Sequence, residues 1–144
     1  MEKWFGYAVL AAVLYGLHQV FTKLASARIG DGVGGFVVEA VAMLTIALYL
    51  VWQWFFGEWK QTVTGSGIAY SMLTGICVGA GTIAFFLLFQ KGAPLSIVPT
   101  VLAIGAALMA IIGLALFKEP FSWQRVLGIA LSLLGLFLLR QSSD

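Results

Sequence analysis

The sequence predicts an all-α integral membrane protein built from five transmembrane helices. Three observations carry this reading. Of the 144 residues, 61% are hydrophobic and only 10% are charged, against about 25% charged in soluble chains. The apolar residues run in long stretches over 4–26, 33–56, 67–90, 94–117 and 122–139. Each is near the roughly 20 residues needed to cross ~30 Å of hydrocarbon. The joints between them carry helix breakers: Gly30-Asp31-Gly32, Gly65-Ser66-Gly67, Gly92-Ala93-Pro94 and Glu119-Pro120. Trp4, Trp52, Trp54, Trp59 and Trp123 fall near span ends, where interfacial aromatics anchor a helix. Residues 1–144 therefore read as one transmembrane domain, because the longest joint, near Glu58 to Ser66, is too short to fold alone.

The first span has a rival reading as a signal peptide, since Ala25-Ser26-Ala27 resembles a cleavage site. Glu2 and Lys3 leave its start without the positive excess of such a segment, and His18, Gln19 and Lys23 interrupt its apolar run. It is kept as a helix. Tyr15, His18, Gln19 and Thr22 recur at three- and four-residue spacing and share one face.

In the second span, Glu39, Ala42, Ile46, Tyr49 and Gln53 form a stripe that is polar at both ends. Glu39 has two readings. An ionised carboxylate in hydrocarbon is costly and marks a substrate or proton site. Alternatively, Gly32, Gly34 and Gly35 delay the helix and leave Glu39 among the headgroups. Both stay open here.

The third span carries Thr74, Cys77, Gly81 and Phe85 along one stripe with Thr82 beside it, and Gly75 and Gly79 form a Gly-x-x-x-Gly pair that permits close helix approach. The fourth opens with Pro94, Pro99 and Thr100. A proline inside a span frees backbone carbonyls, and such places line cavities. The fifth has no charge between Arg125 and Arg140, and its small residues Gly128, Ser132 and Gly135 share a stripe. That pattern suits packing, between protomers, better than a polar path.

Depth groups the polar residues. At 1.5 Å per residue, His18 and Thr82 lie ~12 Å, and Glu39 and Thr100 ~9 Å, inside one and the same membrane face. Four helices thus place polar groups in one slab.

The charges add a constraint. With the N-terminus inside, Lys3, Lys60, Lys118 and Arg125 face the cytoplasm, and Lys23, Arg28, Lys91 and Arg140 face outward. Four against four gives the positive-inside rule nothing to act on. An odd number of spans that inserts both ways up can pair as an antiparallel dimer. Such a pair has the inverted-repeat symmetry of many secondary transporters, with the two polar slabs flanking the midplane.

Other chemistry is excluded by what the chain lacks. Cys77 and His18 are the sole cysteine and histidine, so neither a disulfide framework nor a metal-ligand set can be assembled in one protomer. There is no phosphate-cradling loop, Walker motif or nucleophile elbow. No enzymatic role, cofactor or nucleic-acid partner is expected. The partners expected are the lipid bilayer, a small-molecule substrate and a second copy.

From Lys91 to Arg140 the chain resembles the EamA-type domain of the drug/metabolite transporter superfamily. The resemblance rests on Lys91-Gly92-Ala93-Pro94-Leu95-Ser96-Ile97-Val98 entering the fourth span, Lys118-Glu119-Pro120 after it, Gln124, and the stripe from Gly128 to Gly135. The five-span layout extends it over essentially the whole chain. Most members carry two such domains, whereas this chain carries one, the half-transporter form that must pair to complete ten helices.

The resemblance implies a secondary transporter of small organic metabolites or drugs, with the first, third and fourth helices lining the cavity. Carried over, the lining is Tyr15, His18, Gln19, Thr74, Cys77, Gly81, Phe85, Thr100 and Ile104. The second helix is more peripheral in such proteins, and many have an arginine near the position of Glu39, so the glutamate is a departure. The four-span small multidrug resistance proteins, more distantly similar, place a glutamate in the first helix eight residues before a lysine. Aligning that lysine with Lys23 puts Tyr15 in the glutamate's place, so His18 and Glu39 are the remaining candidates for proton coupling.

The expectation is a dual-topology homodimer transporting by alternating access. Its alternatives are a half-transporter or flippase subunit that needs a different partner and one fixed orientation, and a non-transporting accessory membrane protein. Short loops and the lack of a targeting segment favour a prokaryotic inner membrane.

Overall fold

A computed structural model describes residues 3–57, 59, 61–118, 122–124, 126–128, 130, 131, 134 and 137. Among these, every regular element is helical: α1 (Lys3–Ser26), α2 (Asp31–Phe56), α3 (Gly65–Gln90) and α4 (Val98–Ala115), the last preceded by a 3-10 turn at Leu95–Ile97. Four helical segments, Trp4–Ser26, Asp31–Phe56, Gly65–Gln90 and Leu95–Ala115, are long and apolar enough to cross a membrane. In the fifth predicted span the described residues from Trp123 to Phe137 are helical, and Val126 N–H bonds to Ser122 O at 3.1 Å. The rest of that span, with Ser132 and Gly135, lies outside the described residues.

The chain divides into two units, 1–92 and 93–144. In the first, α3 packs against both α1 and α2, which also touch each other.

Helix ends follow local chemistry and move several predicted boundaries. α2 begins at Asp31 rather than 33, with the aspartate in its first turn, where the positive end of the helix dipole favours it. α3 begins at Gly65 rather than 67, because Thr64 caps it: its Oγ1 accepts a 3.1 Å bond from Gly67 N–H, satisfying one of the orphan donors of the first turn. Arg28 donates at 2.8 Å to Leu24 O, closing the carbonyl end of α1. Gly92, at φ +89°, turns the chain out of α3 in a conformation that side chains resist.

Two sequence expectations fail here for identifiable reasons. Gly32, Gly34 and Gly35 do not delay α2: all lie in regular helix, and Gly34 N–H bonds to Gly30 O at 2.7 Å. Pro99 does not free carbonyls within a span either. It stands in the first turn of α4, where a missing N–H has no helical partner to lose. The carbonyls before it are taken up by the 3-10 turn, Ile97 N–H to Pro94 O at 3.2 Å and Val98 N–H to Leu95 O.

Burial in the first unit gathers where α1 ends, α2 begins and α3 ends. The buried residues there are Gln19, Thr22 and Ser26 of α1, Gly34 and Gly35 of α2, and Thr82, Phe86 and Phe89 of α3. Large apolar side chains elsewhere, such as Tyr7, Met43, Phe56 and Tyr70, stay more than two-thirds exposed. In lipid that exposure carries no hydrophobic penalty, so close packing and interhelical hydrogen bonds must hold the helices together. The backbone approach at Gly34 and Gly35 supplies the first. A Cβ on Gly34 would lie 2.7 Å from Phe86 Cζ and closer still to Cε1, and one on Gly35 would lie 3.3 Å from Ile83 Cγ1. The second comes from Gln90 Nε2, donating to Ile29 O at 3.1 Å, and from Thr82. Lys23 Nζ adds a cation–π contact, 5.4 Å from the centroid of the Phe89 ring.

Candidate functional site

The buried polar side chains of the first unit fall on the contacting ends of its helices. The close approach at Gly34 and Gly35 brings α2 against Thr82, Ile83 and Phe86 of α3. One turn further along α2, Glu39 meets Thr82, whose hydroxyl donates to Glu39 Oε1 at 2.7 Å. Thr82 is buried and Glu39 half-buried. Eight residues of unbroken helix precede Glu39, a depth of ~12 Å from the start of α2. The glycines invoked in the headgroup reading of Glu39 do not delay the helix.

Among the described residues, Glu39 is also the one polar residue of an open groove, about 350 Å³ in volume, that runs along α2 past Ala42, Met43, Ile46, Ala47 and Leu50.

On α1, Gln19, Thr22 and Ser26 form the buried stripe. The two hydroxyls are used locally, Thr22 Oγ1 donating to His18 O at 2.8 Å and Ser26 Oγ to Lys23 O at 2.9 Å. The amide and the imidazole are not. Gln19 is 7% exposed, yet among the described residues its Oε1 has no hydrogen-bond partner, and neither does the buried Nδ1 of His18. A buried polar atom left unpaired costs about 1–3 kcal/mol, and such atoms are rare unless something else binds them. Tyr15 packs edge-on to His18, ring centroids 6.4 Å apart, with its own ring mostly exposed.

The remaining predicted lining residues are placed as follows. Phe85 is half-buried and leans on Phe89 at 6.3 Å between centroids. Thr74 is exposed and bonds back to Tyr70 O of its own helix at 3.0 Å. Cys77 is exposed. Gly75, Gly79, Gly81 and Gly128 each have open space where a side chain would stand. Thr100 and Ile104 lie on α4 in the second unit, Thr100 half-buried and Ile104 exposed. Tyr15, His18 and Gln19 are thus contiguous, and Thr74 and Cys77 stand apart from the buried cluster.

Sequence reasoning noted Thr82 by depth but did not include it in the lining, and it missed Phe86. The available signal was the i, i+4 spacing of these two residues on one face of α3.

Glu39 and Gln19 both present accepting oxygens. The arrangement suits a solute that donates hydrogen bonds. The model of the EamA-like transporter family matches residues 2–141. No curated protein and no solved structure matches the chain.

Proposed function

The chain belongs to the EamA-like transporter family, and from that premise we propose that it carries small organic solutes across a prokaryotic inner membrane by alternating access. The transporting unit is a homodimer of oppositely inserted copies, with the solute bound between the polar segments of α1 and α3. The observation that carries this reading is the pair of unpartnered buried atoms, Gln19 Oε1 and His18 Nδ1. A helix that had only to span or pack would fill those positions with apolar side chains, because an orphaned buried acceptor destabilises the fold.

A solute that donates to Gln19 restores the missing bond. In an antiparallel pair, the same residues of each copy approach the midplane from opposite sides, so one solute meets equivalent groups whichever way the dimer opens. The balanced basic residues, four on each side of the predicted spans, support insertion in both senses. His18 on α1 and Glu39 on α2 are the candidates for proton coupling.

The test is flux. A panel of amino acids, amines and aromatic solutes is screened for thermal stabilisation of the purified protein, and each hit is followed as labelled counterflow in proteoliposomes. Gln19→Leu is expected to abolish counterflow while inserting and folding normally. Counterflow at the parental rate in Gln19→Leu would refute the site.

A further inference from the structure

We propose that Glu39 and the groove along α2 form a binding site for an amphipathic organic cation, a primary ammonium bearing a long hydrocarbon chain. The inference goes beyond the transporter reading: this site lies on α2, apart from the solute site between α1 and α3.

The carboxylate comes first. Among the described residues, Glu39 has one hydrogen-bond partner, Thr82, at 2.7 Å on Oε1. No described lysine or arginine forms an ion pair with it. Thr82 is 5% exposed and held in the α2–α3 contact, so the bond fixes the direction in which the half-buried carboxylate points. Its second oxygen is neither hydrogen-bonded nor among the buried unpartnered atoms. It therefore remains open to a ligand. A carboxylate ~12 Å along a membrane helix is stabilised by a partner of positive charge, and a ligand ammonium supplies both that charge and hydrogen-bond donors.

The groove sets the rest of the ligand. Among the described residues, its lining past Glu39 is Ala42, Met43, Ile46, Ala47 and Leu50, with no polar side chain. From Glu39 to Leu50 the helix rises ~16 Å, a length comparable to a dodecyl chain. The two alanines leave the hollow, and Met43 supplies an adaptable wall. A carboxylate at one end of an apolar trough is complementary to an amphipathic cation. It is not complementary to a fatty acid, whose headgroup it would repel, nor to a neutral hydrocarbon, which would leave it uncompensated.

The test is direct binding of labelled dodecylammonium to the full-length protein in nanodiscs, with butylammonium, dodecanol and dodecanoate as competitors. Dodecylammonium is expected to bind saturably, and the other three to compete poorly. Glu39→Gln keeps an acceptor for Thr82 but loses the charge, and should weaken binding roughly tenfold or more, as expected for a hydrogen-bonded ion pair. Ala47→Phe fills the groove at an exposed position without touching the carboxylate, and should weaken dodecylammonium while leaving butylammonium unchanged.

Wild-type affinity in both variants, or equal competition by dodecanol, overturns the proposal. So does efficient cross-linking between copies carrying Met43→Cys in a Cys77→Ala background, because a second copy would then fill the groove. If dodecylammonium fails but another solute moves in a Gln19-dependent manner, the amine is wrong and the transporter reading stands. If dodecylammonium binds as described and no solute moves, the binding site stands and the transporter reading falls.

Discussion

Replacing Gly34 with alanine tests the packing that brings Glu39 to Thr82. The new Cβ would lie 2.7 Å from Phe86 Cζ and nearer to Cε1, against an ordinary contact of about 3.5–4.0 Å between carbons. The ring must therefore retreat by roughly 1 Å. Phe86 is 0% exposed, so it cannot swing into lipid and the helices must part instead. Overpacking of this kind costs about 1–3 kcal/mol. Alanine returns ~1 kcal/mol of helix propensity relative to glycine, leaving a net loss of about 0–2 kcal/mol against the parent and about 1–3 kcal/mol against an unobstructed Gly→Ala change.

Gly79→Ala is the internal control. It meets nothing within 4 Å, so only the propensity gain remains and the variant should equal or exceed the parent. The assay is reversible unfolding in mixed micelles on titration with a denaturing detergent, with Phe86→Leu and Gly34→Ala/Phe86→Leu completing a cycle. The double variant should recover part of the loss, through a coupling of about 0.5–3 kcal/mol. If Gly34→Ala is as stable as Gly79→Ala, the close approach of α2 and α3 does not exist as described.

Other outcomes follow from single contacts. Thr82→Val removes the donor to Glu39 and should lower stability by ~0.6 kcal/mol and by no more than ~1.7 kcal/mol, the range of hydrogen bonds between membrane helices. In Glu39→Leu the same change should cost nothing, which the same unfolding titration checks. Gln19→Leu should leave the fold as stable as the parent or raise its unfolding midpoint, since an orphaned buried acceptor is lost, even as counterflow disappears. Thr64→Ala should destabilise by ~1 kcal/mol through loss of the α3 cap, read as increased amide exchange at Ser66 and Gly67.

The sequence made the helices legible because spanning hydrocarbon demands long apolar runs, and the joints carry breakers. It was less informative where one residue type serves two opposed purposes. Gly34 and Gly35 read equally as helix breakers and as contact points, and Phe86, distant along the chain, decides between them. Pro99 read as an interruption because the 3-10 turn that places it in a first turn is not encoded by periodicity. The shared depth of Glu39 and Thr82 was calculable from helix rise, and their hydrogen bond joins residues at matching levels. Whether Gln19 is paired depends on the side chains around it, which helical spacing does not specify.

The central claim is that two oppositely inserted copies complete one transporter, and the orientation of the chain in native membranes tests it most directly. A cysteine introduced as Ser142→Cys in a Cys77→Ala background is labelled with an impermeant reagent in intact and in permeabilised cells. Balanced flanking charges predict that about half the molecules label from outside. Labelling of all molecules, or of none, in intact cells would contradict the antiparallel pair and require a different partner to complete the pathway.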